Sequence, residues 1–206
     1  MLIKRILHFL HMTHYYSREP GGPLKTKTIE VCIRGYCFKF ITASGVFSFG
    51  KLDRGTELLI KNMLLNPDWK ILDLGCGYGP IGIVASRFVK WVVMTDVNRR
   101  AVSIARKNLK LNHVKNAEVR LGNLYEPVRG EKFDSIITNP PVHAGKEVLE
   151  RIIREAPNYL TNGGTLQLVI KTKQGAKSIR EIMEEVFSEV VELAKGSGYR
   201  VYAGRL

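Results

Sequence analysis

From Trp69 to Ala203, short apolar runs alternate with amphipathic stretches of helical period, and this alternation restricts the fold more than any other feature of the chain. Strands are expected at residues 70–74, 91–96, 117–121, 133–138 and 165–172, with helices at 80–88, 99–111, 146–160 and 176–187. Brief apolar strands separated by helices need cover on both faces, which predicts a mostly parallel sheet between two helical layers. Two closing strands, 189–193 and 199–203, are joined by Lys195-Gly196-Ser197-Gly198 and must pair antiparallel. The expected class is therefore α/β, a seven-stranded sheet ending in an antiparallel hairpin. A length of 206 residues allows one domain with a modest extension and argues against two full domains.

Residues 28–42 predict a β-hairpin whose register can be derived. With Arg34-Gly35 as the turn, Ile29/Phe40, Val31/Phe38 and Ile33/Tyr36 share an apolar face. Glu30/Lys39 and Cys32/Cys37 share the other. The two cysteines then stand opposite each other, at a separation a disulfide could span; the expectation for a reducing compartment is a reduced, buried pair, with a Cys32–Cys37 bond as the alternative. Asp53 or Thr56 can cap a helix running to about Leu65, which Pro67 ends. The apolar run from Leu2 to Leu10 is too short for a membrane span, and His8 and His11 interrupt any leader-like reading. It reads as an N-terminal extension over residues 1–13, with Met12 an alternative start.

The segment Asp73-Leu74-Gly75-Cys76-Gly77-Tyr78-Gly79-Pro80 carries a strand into a glycine turn that opens a helix. Glycine permits positive φ and lets a ligand approach the backbone closely. The spacing G-x-G-x-G followed by Pro80 departs from the dinucleotide fingerprint, and a carboxylate at Asp73 suits a cation better than a pyrophosphate. Asp96 ends the next strand, where a carboxylate can bind ribose hydroxyls.

These residues resemble the class I S-adenosylmethionine-dependent methyltransferases, in which Asp-Leu-Gly-Cys-Gly is a familiar form of the first motif. The resemblance implies a Rossmann-like fold with S-adenosyl-L-methionine as cofactor. It implies that Gly75, Cys76, Gly77 and Gly79 border the methionine part, with Asp73 near its amino group. Asp96 would hold the ribose, with Val97 or Asn98 beside the adenine. Asn123 and Leu124 stand where the family usually has an acidic acceptor for the adenine amine, a role an amide oxygen can fill.

Residues Asn139-Pro140-Pro141 follow a strand at its carboxyl end, opposite the glycine turn, where ligands bind in open sheets. By resemblance to methyltransferases of planar amines, the Asn139 side-chain oxygen and the carbonyl of Pro140 accept the amine hydrogens, with Pro141 fixing the turn. The longer string through Val142, His143, Ala144 and Gly145 resembles the small-subunit ribosomal RNA guanine-N2 methyltransferases of the small-domain family, which usually carry an aromatic at the place of Val142. Stacking on a base would then fall to Phe47, Phe49, Tyr125 or His143, and His143 is read as a substrate contact. The same family has Gly-Val-Phe-Ser and Leu-Asp-x-Gly-Ser/Thr segments, matched here by residues 45–48 and 52–56. They imply that Phe47, Asp53 and Thr56 close over the cofactor, making residues 14–66 a closing element for a core at 67–206.

The basic excess is 32 Lys+Arg over 19 Asp+Glu, which fits a polyanionic partner. Seven basic residues lie between Arg99 and Arg120, partly the solvated face of a helix. Lys171 and Lys173, followed by Lys177 and Arg180, start at a strand end near the expected site and are the first choice for RNA phosphates. The expected function is methylation of an exocyclic base amine in RNA, first of all in small-subunit (16S) ribosomal RNA free or within a particle. Guanine N2 and cytosine N4 both fit, and transfer RNA is a further substrate class. A protein glutamine amide is the alternative substrate. A non-catalytic RNA-binding protein of the same fold is the other alternative. No metal site and no membrane association are expected, and the location is expected to be cytoplasmic. Two Gln in the whole chain, with abundant Lys, Arg and Ile, hint at a thermophilic source.

Overall fold

The structure, a computed structural model, describes residues 22–140 and 145–206. A two-stranded hairpin, β1 (Thr26–Ile33) and β2 (Tyr36–Ala43), precedes helix α1 (Arg54–Asn62). Then follow β3 (Lys70–Leu74), α2 (Pro80–Ala85), β4 (Trp91–Asp96), α3 (Arg99–Leu111), β5 (Ala117–Leu121) and β6 (Phe133–Thr138). Helix α4 (Lys146–Glu155), β7 (Leu160–Lys171), α5 (Ala176–Val186), β8 (Glu189–Gly196) and β9 (Tyr199–Arg205) complete the chain. The seven-stranded sheet has the order β5-β4-β3-β6-β7-β9-β8. Its first five strands are parallel, and β9 lies antiparallel to both β7 and β8.

Side-chain alternation divides the core between the two faces of the sheet. Ile71, Val92, Met94 and Ile137 point into the layer containing α1, α2, α3 and the hairpin. Leu72, Leu74, Val93, Ile136 and Leu168 point into the layer containing α4 and α5. Asp73 falls on the first of these faces, fully buried among apolar neighbours.

The hairpin has the derived register, from Ile29↔Phe40 to Ile33↔Tyr36. Arg34 and Gly35 both have positive φ, 53° and 82°, as a two-residue hairpin turn requires. The cysteine expectation is corrected. Cys32 and Cys37 lie on the solvent face, opposite the buried Phe38 and Phe40, and they form a disulfide with Cα atoms 4.0 Å apart.

The outer edge of β2 docks on α3 through two asparagines one helical turn apart. Asn112 Oδ1 accepts from Lys39 N at 3.1 Å, and its Nδ2 donates to Lys39 O at 2.8 Å. Asn108 repeats the pattern on Ile41 at 2.8 and 2.9 Å, and also donates to Tyr78 O in the glycine turn.

Several element ends differ from expectation; α2 stops at Ala85 rather than residue 88, and β8 runs to Gly196 rather than residue 193. Helix α1 stops at Asn62 rather than Leu65, because Gln167 takes both backbone groups of Leu64 and Arg34 donates to Met63 O. Helix α4 stops at Glu155, where Pro157 converts the chain to a short 3-10 turn. Strand β7 begins at Leu160 rather than Thr165 and meets β6 with a register shift across Asn162-Gly163-Gly164.

Candidate functional site

Strands β3, β4 and β5 progress to one side of the sheet and β6 and β7 to the other, so the order reverses between β3 and β6. Loops leaving the carboxyl ends of β3 and β6 diverge there and leave a crevice. A cleft of about 300 Å³ lies at this place, lined from β3, β4 and β6 by Leu74, Gly75, Asp96 and Asn139 among others.

The glycine turn forms one wall. Gly75, Gly77 and Gly79 have φ of 75°, 58° and 91°, a backbone region costly for other residues. A side chain at Gly75 or Gly77 would meet no atom of the described residues within 4 Å, so their bareness keeps that wall open to a ligand. Gly82 answers a different need, because an added Cβ would lie 2.3 Å from Met94 Sδ. Its N–H instead reaches Asp73 Oδ2 at 2.8 Å, supplying α2 with the acceptor that Gly79 at its N-cap lacks.

Asp73 lies beneath this turn and is not part of the cleft wall. Its Oδ1 has no hydrogen-bond partner among the described residues. Burial, with a smaller contribution from the charge of Asp96, pushes its pKa up to about 7 against the opposing Gly82 N–H. Cys76, also buried, has its thiol pKa pushed well up by the same burial and the same two carboxylates.

Asp96 is held by backbone donors. Gly77 N reaches Oδ2 and Asn98 N reaches Oδ1, each at 2.8 Å. Burial raises its pKa while those donors oppose the rise. Both oxygens keep an acceptor lone pair, and two fixed acceptors suit a pair of vicinal hydroxyls. Val97, Asn123 and Leu124 line the cleft as expected. Leu124 has φ of 46°, a rarely occupied conformation, at the rim. Asn98 also reaches the cleft, but its side chain caps α3 through Arg100 N and Ala101 N and holds Gly45 O at 2.8 Å. That bond ties the loop carrying Phe47 to α3.

On the opposite wall, the amide of Asn139 is clamped. Its Nδ2 donates to Thr56 Oγ1 at 2.8 Å and to Asp53 Oδ2 at 3.2 Å. Asp53 in turn caps α1 by accepting from Thr56 N at 2.9 Å and receives the Tyr199 hydroxyl on Oδ1 at 3.4 Å. With the nitrogen engaged, Oδ1 is the atom Asn139 has left to offer as an acceptor. Asp53 and Thr56 thus serve as supports for Asn139, a link that the cofactor-closing expectation did not contain.

Pro140 and Lys171 also line the cleft, and the Lys171 ammonium stands 5.9 Å from the centre of the Tyr199 ring. Phe47 lines it with 42% of its surface exposed, leaving a flat face available for stacking. Tyr125 cannot stack on a ligand, because it is buried against Tyr159 and its hydroxyl donates to Ile152 O at 2.8 Å. Lys173 is exposed on the turn after β7 and does not line the cleft. Pro141, Val142 and His143 lie outside the described residues. Sequence reasoning missed Tyr199 and Ser48. Tyr199 opens a strand far along the chain and belongs to no motif, while Ser48, at φ of 61°, lay within the matched Gly-Val-Phe-Ser segment.

Compared with known proteins, residues 37–203 match the family described as "Methyltransferase small domain". The chain belongs to this methyltransferase family. Among its relatives, the Bacillus subtilis protein YbxB is 40% identical over 193 residues, covering 91% of this chain and 96% of its own. A ribosomal RNA small subunit methyltransferase C from Hamiltonella defensa is 33% identical over 80% of this chain and 49% of its own. Among solved structures, the T. thermophilus 16S rRNA N2 G1207 methyltransferase, in complex with AdoMet and guanosine, superposes with a TM-score of 0.78 at 27% identity. That match covers 90% of this chain and 52% of the other. The methyltransferase chain thus spans about half the length of these two ribosomal RNA enzymes. By family it is S-adenosylmethionine-dependent, and S-adenosyl-L-methionine is its cofactor.

Proposed function

We propose that this protein transfers a methyl group to an exocyclic amine of a base in small-subunit ribosomal RNA, with guanine N2 as the acceptor. The observation that carries this reading is the Asn139 clamp, which turns one amide oxygen into a fixed acceptor opposite Asp96 across a shared cleft. Similarity to an enzyme whose solved complex contains AdoMet and guanosine supports the choice of base.

The cleft has acceptors, open backbone and apolar walls that suit the cofactor. Asp96 offers two oriented acceptors for the ribose, Gly75 and Gly77 leave room for the methionine part, and Val97 and Leu124 provide apolar walls. Asn123 and the segment from Val46 to Asp53 complete that half. When bound, the cofactor supplies a methyl group on a sulfonium. The protein's own contribution is positional. An exocyclic base amine has its lone pair delocalised into the ring, so it needs orientation before it can attack. Asn139 Oδ1 and the Pro140 carbonyl accept its two hydrogens and favour pyramidalisation, directing the lone pair toward the methyl. Phe47 stacks on the extruded base, in the place of the aromatic that Val142 lacks. Lys171 holds an adjacent phosphate. No covalent enzyme intermediate is required, and the one proton that the methylated amine must shed would pass to solvent.

Nucleoside mass spectrometry of ribosomal RNA from a deletion strain tests this directly. Loss of one N2-methylguanosine, restored by the wild-type gene and not by Asn139→Ala, is the expected result. Loss of an N4-methylated cytidine would move the reading to the pyrimidine. An unchanged RNA profile together with a lost N5-methylglutamine would move it to protein.

A further inference from the structure

The cationic side chains of the helices fall into two kinds. In α4, three basic and three acidic residues occur together, and Arg151–Glu155 and Arg154–Glu150 pair at 3.0 and 2.9 Å. In α5, Arg180 pairs with Glu184 at 2.8 Å and Lys177 with Glu181 at 4.0 Å, so those two cations are already matched. In α1, Lys61 pairs with Glu57 at 2.6 Å. Helix α3 has five basic residues and no acidic one. Among the described residues, no carboxylate pairs with Arg99, Arg106, Lys107 or Lys110.

These four residues lie on one side of α3, at positions 99, 106, 107 and 110, and with Ser103 and Leu121 they line a shallow groove of about 270 Å³. Holding like charges along one helix face is unfavourable unless an anion compensates them. The track runs about 16 Å along the helix at 1.5 Å per residue. Its first residue, Arg99, follows Asn98, which lines the cleft, so the track starts at the cleft end of α3. A polyanion whose reacting base entered the cleft would have its flanking backbone carried onto this face.

We infer that the α3 groove is a docking surface for the sugar-phosphate backbone of the RNA substrate, distinct from the Lys171 contact on the other side of the cleft. The inference rests on the RNA reading above. It adds to the ranking drawn from sequence, where α3 counted as partly a solvated face and Lys171 and Lys173, followed by Lys177 and Arg180, were the first choice for phosphates. Recognition here is by charge and is independent of sequence, so its signature is salt dependence.

The test compares two sets of neutralised cations in the full chain. Arg99→Gln/Lys107→Gln/Lys110→Gln removes three groove charges and spares Arg106, whose guanidinium also donates to Val119 O. Lys177→Gln/Arg180→Gln removes the ion-paired set. Affinity for 16S ribosomal RNA transcribed in vitro is measured at several salt concentrations, with AdoMet affinity as the folding control. The groove variant should bind RNA about tenfold or more weakly, with its log–log salt slope reduced by about 2. The α5 variant should stay near wild type, and AdoMet binding should hold in both. A groove variant that methylates and binds RNA with unaltered slope overturns this inference alone. A wild-type protein that neither binds nor methylates any RNA overturns the RNA reading and this inference with it.

Discussion

The two walls of the cleft are built in opposite ways. The glycine-turn wall is backbone: positive-φ glycines and main-chain donors hold Asp96, and beneath it lies the carboxyl group of Asp73, whose Oδ1 has no partner among the described residues. The Asn139 wall is side chain: a hydroxyl, a carboxylate and a phenol from α1 and β9 fix one amide. A backbone wall tolerates a ligand pressed against it. A side-chain wall sets the direction of a single acceptor. The division predicts that damage to the first wall appears in cofactor affinity and stability, and damage to the second in turnover.

The largest expected effect lies under the backbone wall. Asp73 has a folded pKa near 7 against about 4 when unfolded, so between these values the folded chain holds the proton more tightly. Stability from this group is present below about pH 4 and declines as pH rises through 7, by on the order of 4 kcal/mol. Melting of the apoprotein from pH 4 to 8 should therefore show Asp73→Asn gaining on wild type as pH rises. A flat difference would place the proton elsewhere.

Next in size is Asn139→Ala, expected to lower kcat by about 10²–10³-fold. Its AdoMet Kd, measured by calorimetry, should stay within about threefold. A comparable loss of AdoMet affinity would erase the distinction between the walls. Asp96→Ala should do the reverse, weakening AdoMet by about 10–100-fold through two lost charge-assisted bonds. The mildest is Thr56→Val, which keeps the volume and removes the nearer of the two acceptors for Asn139 Nδ2, leaving Asp53 Oδ2. A drop of about tenfold in kcat, recovered in Thr56→Ser, separates orientation of the amide from simple packing.

The same contrast governs how much of the site could be read from sequence. The backbone wall is local in the chain: residues 73–80 and Asp96 belong to adjacent units, and glycine spacing reports φ directly. Strands β3, β4, β5 and β6 accordingly have the expected limits, and the hairpin register followed from charge and apolar pairing. The side-chain wall joins residues 53, 56, 139 and 199, and no spacing rule connects them. Only folding brings Tyr199 to Asp53. The matching of Lys177 and Arg180 is by contrast local, since Glu181 and Glu184 lie one turn further on; a count of basic residues alone passes over that spacing. The cysteine pair was placed correctly in register but assigned to the wrong environment, because the apolar alternation of the hairpin turns Phe38 and Phe40 inward and the cysteines out.

The asparagine pair on α3 has a consequence for how the molecule opens. Lys39 and Ile41 belong to a hairpin edge that has no third strand among the described residues, yet both their amides are satisfied by side chains of α3 and its C-cap. Asn108 extends the same contact to Tyr78 in the glycine turn. Hairpin, helix and turn therefore share one set of bonds and should exchange their amide hydrogens as one cooperative unit. Occupation of the cleft would slow exchange at Ile41, a strand removed from any ligand, and the hairpin would report on the cofactor without touching it.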